Sequence, residues 1–247
     1  MAKRGRLALT ASKQPKRLTP QASDTISEVI FYAGQQYIGK PRVIFLDIET
    51  SPILGWTWGI WETNVLRVVQ NTKILAFSVR VEGEATTHVY TLPDFKGYKP
   101  GIVDDFFICE KLWEYLDNAD VIIAHNGKQF DLKKIHGRFF KHGMGTPRRY
   151  KVIDTLKEAR KHLGLDSNKM GDICEFLGIG MKLKTHGVNT WLGCIDGDMK
   201  EWRKMAAYNK HDVDLLVEVY KRLLVWILWN ETRRKPIKVK TYRIYGN

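Results

Sequence analysis

The chain has 247 residues, of which 44% are hydrophobic, and 40 lysines and arginines face 27 acids. This content is sufficient for the core of one α/β domain or two small ones, which excludes a disordered polyelectrolyte. Three scattered cysteines exclude a disulfide framework, and the longest apolar run, residues 223–229, is too short to span a bilayer. With no apolar segment after the basic N-terminus, we expect an intracellular, cytoplasmic protein.

The net charge of +13 is concentrated at the two ends of the chain. Residues 1–20 and 232–247 contain twelve cations and no acid, which leaves the remainder nearly neutral. Basic ends bind polyanions by releasing counterions, so nucleic acid is the expected partner, without membrane contact. We predict a basic N-terminal arm with a short helix (1–40), a folded domain (41–230) and a basic C-terminal tail (231–247).

Hydrophobic periodicity and turn residues predict the elements in chain order. A short helix is expected over 24–36, and strands alternate with helices after it, which predicts a mixed central sheet flanked by helices. The predicted elements are a strand in "PRVIFLDIE" (41–49), a Trp- and Gly-rich loop, a hairpin over 73–92, a helix over 104–117, a strand in "ADVIIAHN" (119–126), a helix over 130–143, a strand leading into a helix over 151–160, a helix capped at Ser167 or Asn168, an irregular stretch over 181–198 and a helix over 198–228.

Two carboxylates end the first predicted strand. Asp47 and Glu49 are two residues apart, so on a strand their side chains point to the same side. Like charges held this close repel, which is tolerable if a cation lies between them or if they share a proton. Without a metal, we expect one of the two to have a raised pKa.

Two further acids occupy positions where α/β proteins place functional groups. Asp131 opens a predicted helix just after a strand, and Asp212 lies one helical turn after Tyr208 on the last helix. Four carboxylates suit Mg²⁺ or Mn²⁺ better than zinc. Two such ions, about 3.5–4 Å apart, can stabilise both the attacking and the leaving oxygen of a phosphodiester displacement.

Three segments resemble the exonuclease motifs of the DEDD family: "DIET" (47–50), "NGKQFD" (126–131) and "YNKHD" (208–212). The third has the form Y-x-x-x-D of the tyrosine subclass. The histidine subclass has its general base five residues before the last aspartate, where this chain has Ala207. The order and spacing are similar to those of family-B DNA polymerase proofreading domains, and residues 42–225 also resemble stand-alone, often phage-encoded exonucleases of the ribonuclease H-like superfamily.

The resemblance implies a ribonuclease H-like α/β fold and a two-metal 3′→5′ exonuclease that releases nucleoside 5′-monophosphates from single-stranded DNA or frayed 3′ ends. No part of these 247 residues is expected to form a polymerase domain. The metal ligands implied are Asp47, Glu49, Asp131 and Asp212, with Tyr208 orienting the attacking water together with Glu49. The implied contacts to the terminal nucleotide are Ile48, Thr50, Asn126 and Phe130, and Lys184 and His186 are added as residues of a loop that could close over the site.

Several alternatives remain open from the sequence. The motifs do not separate DNA from RNA as the substrate, nor an exonuclease from a structure-selective endonuclease, nor an enzyme from a nucleic-acid-binding protein that has lost catalysis. Trp56, Trp58 and Trp61 either stack bases or anchor their loop in the core. Asp154 is either a helix cap, which we favour, or an acid near the metals.

Overall fold

A computed structural model describes residues 41–61, 64–101, 104–185 and 187–229. The predicted N-terminal arm, the helix expected over 24–36 and the basic tail over 231–247 lie outside the described residues. Within the described ranges, no helix combines the length and the apolar character needed to cross a bilayer.

The described strands form a five-stranded mixed sheet and a separate two-stranded ribbon. The order in the large sheet is β5-β4-β1-β6-β7. The pairs β5–β4 and β4–β1 are antiparallel, and the pairs β1–β6 and β6–β7 are parallel. The ribbon pairs β2 with β3. The strands are β1 (Val43–Thr50), β2 (Leu54–Trp56), β3 (Arg67–Gln70), β4 (Ile74–Val81), β5 (His88–Thr91), β6 (Val121–Ala124) and β7 (Lys151–Asp154).

Six α-helices are described, and a short 3-10 helix (Leu92–Asp94) follows β5. The expected mixed α/β sheet flanked by helices is confirmed. The α-helices are α1 (Phe106–Asp117), α2 (Asp131–Lys141), α3 (Thr155–His162), α4 (Met170–Leu177), α5 (Val188–Asp196) and α6 (Met199–Trp229).

The alternation of β1 divides the core into two layers. Ile44, Leu46 and Ile48 pack with α1 and α2, whereas Val43 and Phe45 pack with α3, α4 and the C-terminal part of α6. Side chains two residues apart on a strand share a face. Asp47 and Glu49 therefore continue the face of Val43 and Phe45, which is the face that α6 covers.

Three local predictions require correction. The irregular stretch over 181–198 contains α5, and the Trp- and Gly-rich loop contains β2. Lys169, rather than Ser167 or Asn168, is the N-cap residue of α4. The Ser167 hydroxyl still accepts a hydrogen bond from the Lys169 N–H, at 3.4 Å, which orients the entry to the helix.

A buried ion-pair network joins α1, α2 and β4. Asp105 is fully buried, and its two carboxylate oxygens accept hydrogen bonds from Arg138 at 2.6 and 2.7 Å, from His142 at 2.8 Å and from the Ile74 N–H at 2.9 Å. These donors outweigh burial and hold the pKa of Asp105 below its ordinary value. The network fixes α2, which carries Asp131, against the sheet.

We predict that Asp105→Ala lowers the free energy of unfolding by about 3–5 kcal/mol, because it leaves the Arg138 guanidinium buried without its partner. Urea unfolding followed by circular dichroism measures the change. The matched control is Glu114→Gln, which removes an exposed ion pair with Lys111 and is expected to change stability by less than about 1 kcal/mol. Equal effects of the two variants would contradict the prediction.

Candidate active site

The carboxyl end of β1 is open on one edge. Its parallel pairing with β6 runs only from Val43 to Phe45, and its register with β4 shifts between Glu49 and Thr50. Irregular strand ends of this kind are common beside functional sites. Asp47 and Glu49 lie on this open stretch and are partly buried.

Helix α6 brings a third carboxylate to the same place. Asp47, Glu49 and Asp212 each offer an oxygen, and these oxygens lie within 4.8 Å of one another. Asp212 is buried, and its Oδ1 atom has no hydrogen-bond partner among the described residues. A buried polar atom without a partner is unfavourable unless a ligand satisfies it, so the cluster is suited to a bound cation.

Asp131 reaches the cluster from the N-terminus of α2. Its Oδ1 atom accepts a hydrogen bond of 3.2 Å from the N–H of Ile48, which the open edge of β1 leaves available. The charge of Asp131 is, after burial, the largest influence that raises the pKa of Asp47. The structure therefore brings Asp47, Glu49 and Asp212 together, and it places Asp131 close enough to act electrostatically on Asp47.

The loop before Asp131 has an unusual backbone. Asn126 has a φ of +62°, the only positive φ among the described residues other than glycine, and such residues cluster at functional sites. Asp154 holds the loop by accepting hydrogen bonds from the N–H groups of Asn126, at 2.9 Å, and Lys128, at 3.3 Å. Asp154 also accepts from the N–H of Leu156, which confirms the predicted helix cap.

Gly127 is required for the close packing of this loop. A Cβ atom at this position would lie 2.3 Å from the Cβ of Ala124 on β6. We predict that Gly127→Ala shifts the loop and Asp131, and lowers both divalent-ion affinity and thermal stability. The control is Gly137→Ala on α2, where no atom lies within 4 Å and where alanine should stabilise the helix by up to about 1 kcal/mol. Calorimetric titration with Mn²⁺ and a thermal melt test the pair, and unchanged Mn²⁺ affinity in Gly127→Ala would refute the prediction.

The electrostatics of the site disfavour four simultaneous negative charges. Burial and the neighbouring carboxylates raise the pKa of Asp47 well above its ordinary value, and that of Glu49 from 4.5 to about 8. Burial raises the pKa of Asp131 to about 6 and also raises that of Asp212. This agrees with the expectation that, without a metal, a carboxylate of the pair has a raised pKa.

Tyr208 lies beside the cluster on the same side of α6 as Asp212. Its hydroxyl is 3.4 Å from the Nζ atom of Lys182, and its ring meets that of Trp191 edge-on at 6.1 Å between centroids. Burial and the charge of Asp212 raise the pKa of Tyr208 to about 12. The phenol is therefore protonated at neutral pH and is a hydrogen-bond donor there.

Sequence reasoning missed three residues of the site. Lys182 donates a 2.6 Å hydrogen bond to Asp212, and Asn209, which is fully buried, donates one of 2.6 Å to Asp47. The indole of Trp191 lies close enough to Glu49 to lower the pKa of that carboxyl. The sequence signal for Asn209 was its position inside "YNKHD". For Lys182 the signal was only a cation in the segment that follows α4, and nothing in the sequence favours Lys182 over Lys184 as that cation.

The residues predicted to contact a nucleotide differ in accessibility. Phe130 is exposed, and its ring centroid lies 5.8 Å from the Nζ atom of Lys134. Ile48 is buried in the core. Thr50 and Asn126 are partly exposed, and Lys184 is exposed. His186 lies outside the described residues. The nucleotide contacts of these side chains, including Ile48, stay predictions.

A polar cleft of about 780 Å³ opens beside the carboxylates. Its charged lining residues are the cations Lys182, Arg160 and Lys169 and the acids Asp47, Asp166 and Asp172, and Asn126 also lines it. The three cations of the lining can attract an anionic ligand, and the three acids can attract a cation.

The family model described as the RNase_H superfamily matches residues 44–224, about three-quarters of the chain. The chain belongs to the RNase_H superfamily. The match contains all but the first residue of β1, the whole of α2 and most of α6, which are the elements that carry the four carboxylates.

Relatives and a solved structure agree with this assignment. This RNase_H superfamily domain is 27% identical over 179 residues to a DNA polymerase III PolC-type of Mycoplasma pneumoniae and 23% identical over 218 residues to that of Ureaplasma parvum. These alignments cover 70% and 87% of this chain but only 12% and 15% of the relatives. A family B DNA polymerase from Pyrobaculum calidifontis shares the fold, with a TM-score of 0.57 and 16% identity over 82% of this chain and 27% of that one. The predicted ribonuclease H-like fold is confirmed.

Proposed function

We propose that this protein is a metal-dependent 3′→5′ exonuclease that removes nucleoside 5′-monophosphates from single-stranded DNA or frayed 3′ ends. The observation that carries the proposal is the cluster of Asp47, Glu49 and Asp212, with Asp131 bonded to β1 and Tyr208 beside Asp212. Relatives named as DNA polymerases support a nucleic-acid substrate. The proposed subclass is the tyrosine one, because Tyr208 stands where Y-x-x-x-D requires it and position 207 is alanine.

The donor set fits hard divalent cations. Carboxylate oxygens are the ligands that Mg²⁺ and Mn²⁺ prefer, and Asp212 Oδ1 is a buried oxygen without a partner among the described residues. We propose that two such ions are held by Asp47, Glu49, Asp131 and Asp212. When bound, they supply charge stabilisation for the attacking and leaving oxygens of a phosphodiester displacement.

The chain's own groups position the reactants. Because its pKa is about 12, Tyr208 is proposed to orient the attacking water by hydrogen bonding rather than to remove its proton. Glu49, beside it, accepts a hydrogen bond from the same water. Lys182 forms an ion pair with Asp212 and lines the cleft, and we propose that its ammonium also contacts a phosphate oxygen.

The 3′ end is proposed to lie between the cluster and the start of α2. Asn126 lines the cleft, the ring of Phe130 is exposed just before α2, and Thr50 ends β1. The cations Arg160 and Lys169 also line the cleft, where they can contact the phosphates of the departing nucleotide or of the strand. A recessed site of this kind is accessible to a free end, whereas the interior of a duplex cannot reach it easily.

The decisive experiment uses single-stranded DNA and its RNA counterpart, each labelled at the 5′ end and incubated with Mn²⁺ or with EDTA. The expected result is a ladder that shortens from the 3′ end, appears with Mn²⁺ and disappears in EDTA and in Asp47→Asn. A faster RNA ladder would assign an RNA exonuclease, and a single internal cut an endonuclease. Cleavage that survives EDTA would disprove the metal mechanism, and binding without any cleavage would indicate a catalytically silent binding protein.

A further inference from the structure

An exposed aromatic ribbon follows the carboxylate strand directly. We call it the tryptophan hairpin and define it as residues 51–61 and 64–73, containing β2 and β3. Trp56, Trp58 and Trp61 are 66%, 82% and 90% exposed, so they do not anchor a loop in the core. The other exposed apolar residues of the hairpin are Ile53, Leu54, Ile60, Val65, Leu66, Val68 and Val69.

These three indoles are more exposed than the other tryptophans whose burial the structure describes. Trp202 on α6 is buried, and its indole N–H donates a 2.9 Å hydrogen bond to the hydroxyl of Tyr98. The β2–β3 ribbon is a separate sheet with no strand of the main sheet beside it, and nothing among the described residues covers its three indoles. Contiguous exposed apolar surfaces of this kind mark binding sites.

The hairpin is fixed next to the carboxylate cluster. The Ser51 N–H donates to the Lys73 carbonyl at 2.8 Å, and the Lys73 N–H donates to the Ser51 hydroxyl at 3.0 Å, which closes its base between β1 and β4. Glu49 lies two residues before this closure. The hairpin therefore leaves the sheet from the same end of β1 that carries Asp47 and Glu49.

An aromatic and cationic path connects the hairpin with the entrance of the site. Thr72, at the base of the hairpin, accepts a 3.5 Å hydrogen bond from the Nζ atom of Lys134 on α2. The same ammonium lies over the ring of Phe130, which directly precedes Asp131. A ligand that occupies the carboxylate site and extends past Phe130 thus meets Lys134 and then the hairpin.

We propose that the tryptophan hairpin is a stacking platform for the bases of the single strand upstream of its 3′ end. This inference rests on the proposed function, because it requires a nucleic-acid strand in the adjacent site. Indole rings stack on bases of any sequence, which suits an enzyme that shortens a strand one nucleotide at a time. The expected occupant is single-stranded nucleic acid, since a duplex covers the faces of its bases.

The charge of the tryptophan hairpin makes a polyanion a more favourable occupant than the basic ends of this chain. Arg67 and Lys73 are the charged side chains in the described part of the hairpin, and Lys134 adds a third cation beside its base. Glu62 lies outside the described residues. Residues 1–20 and 232–247 carry only positive charge, so they would be repelled where phosphates would be attracted.

The test measures binding without cleavage, in the full chain carrying Asp47→Asn. Fluorescence anisotropy of a 5′-labelled oligothymidylate is followed for this protein and for the same protein with Trp58→Ala and Trp61→Ala. We expect the double change to weaken binding by about 100-fold, as the loss of two stacked bases predicts. The matched control is Trp226→Ala on α6, about 21 Å along the helix from Asp212, and it is expected to change affinity by less than about 2-fold.

A second arm removes the bases instead of the indoles. Oligonucleotides with abasic sites several nucleotides from the 3′ end should bind the Asp47→Asn protein more weakly than intact oligonucleotides do. The protein that also carries Trp58→Ala and Trp61→Ala should bind the two kinds of oligonucleotide equally well. This non-additivity is expected only if the indoles and the bases touch. Equal losses in both proteins, or an unchanged affinity after Trp58→Ala and Trp61→Ala, would overturn the stacking proposal and leave the hairpin as a surface for another protein.

The two proposals fail separately. If the wild-type protein shortens strands and the tryptophan variants bind normally, the stacking platform is wrong and the exonuclease stands. If no strand is cleaved but the abasic-site experiment shows coupling, the platform stands and the exonuclease is wrong. All three tryptophans are exposed, so their replacement is not expected to impair folding.

Discussion

Asp212→Asn is expected to lower strand cleavage by about 10³-fold or more, which is among the largest effects we predict for a single side chain. The change corresponds to about 4 kcal/mol of transition-state stabilisation. The reason is the loss of a proposed metal ligand from a cluster whose oxygens lie within 4.8 Å of one another. Single-turnover cleavage of a labelled strand with Mn²⁺ measures the loss, and binding measured alongside should change little.

The matched control is Asp214→Asn on the same helix. The Asp214 carboxylate turns away from the cluster and accepts hydrogen bonds from Arg80, Thr87 and Lys210. We expect this variant to lose some stability but to retain cleavage within about 3-fold. Comparable losses of activity in Asp212→Asn and Asp214→Asn would show that α6 contributes packing rather than a ligand.

The metal-free protein is expected to become less stable as the pH rises through the carboxylate cluster. The pKa of Glu49 rises from 4.5 to about 8 on folding and that of Asp131 from 3.8 to about 6. The folded state therefore holds more protons than the unfolded state between about pH 4 and pH 8. The contribution of these two groups to the free energy of unfolding is fully present below about pH 4 and is lost as the pH rises to about 8. Glu49→Gln should remove part of this loss.

Thermal unfolding in EDTA, at a series of pH values, compares the wild-type protein with Glu49→Gln. The variant should gain stability relative to the wild type as the pH rises from about 5 to about 9. Added Mn²⁺ should stabilise the wild type more at the upper end of this range, because protons compete with the ion, and by about 2.7 kcal/mol at one hundred times its dissociation constant. A melting temperature that does not change on addition of Mn²⁺ at any pH would contradict the proposed metal site.

Lys182 contributes a positive charge to the carboxylate cluster. Its ammonium lies 2.6 Å from the Asp212 carboxylate, in a site that is crowded with negative charges. Asp212 and Tyr208 both contribute to raising the pKa of this lysine, so it is cationic throughout the working pH range. A cation on the chain thereby offsets part of the carboxylate repulsion that a bound ion would otherwise offset alone.

The sequence predicted the parts of the site that local patterns specify. Asp47 and Glu49 share a face because strand side chains alternate, and Tyr208 and Asp212 share one because they lie one helical turn apart. The strands β1 and β6, the hairpin of β4 and β5, and the long last helix follow from apolar runs whose length and periodicity are local properties. Recognition of the three motifs in order supplied the fold.

Tertiary structure decided what depends on distant segments meeting. Lys182 and Asn209 enter the site only because α6 crosses the face of β1, and Lys182 comes from a loop 30 residues before Asp212. The exposure of Trp56, Trp58 and Trp61 was equally undecided, because an apolar sequence reads the same whether or not another element covers it. The sequence by itself determined which side chains face the same way on each element. Only the packing of those elements determined which of them meet and which remain in water.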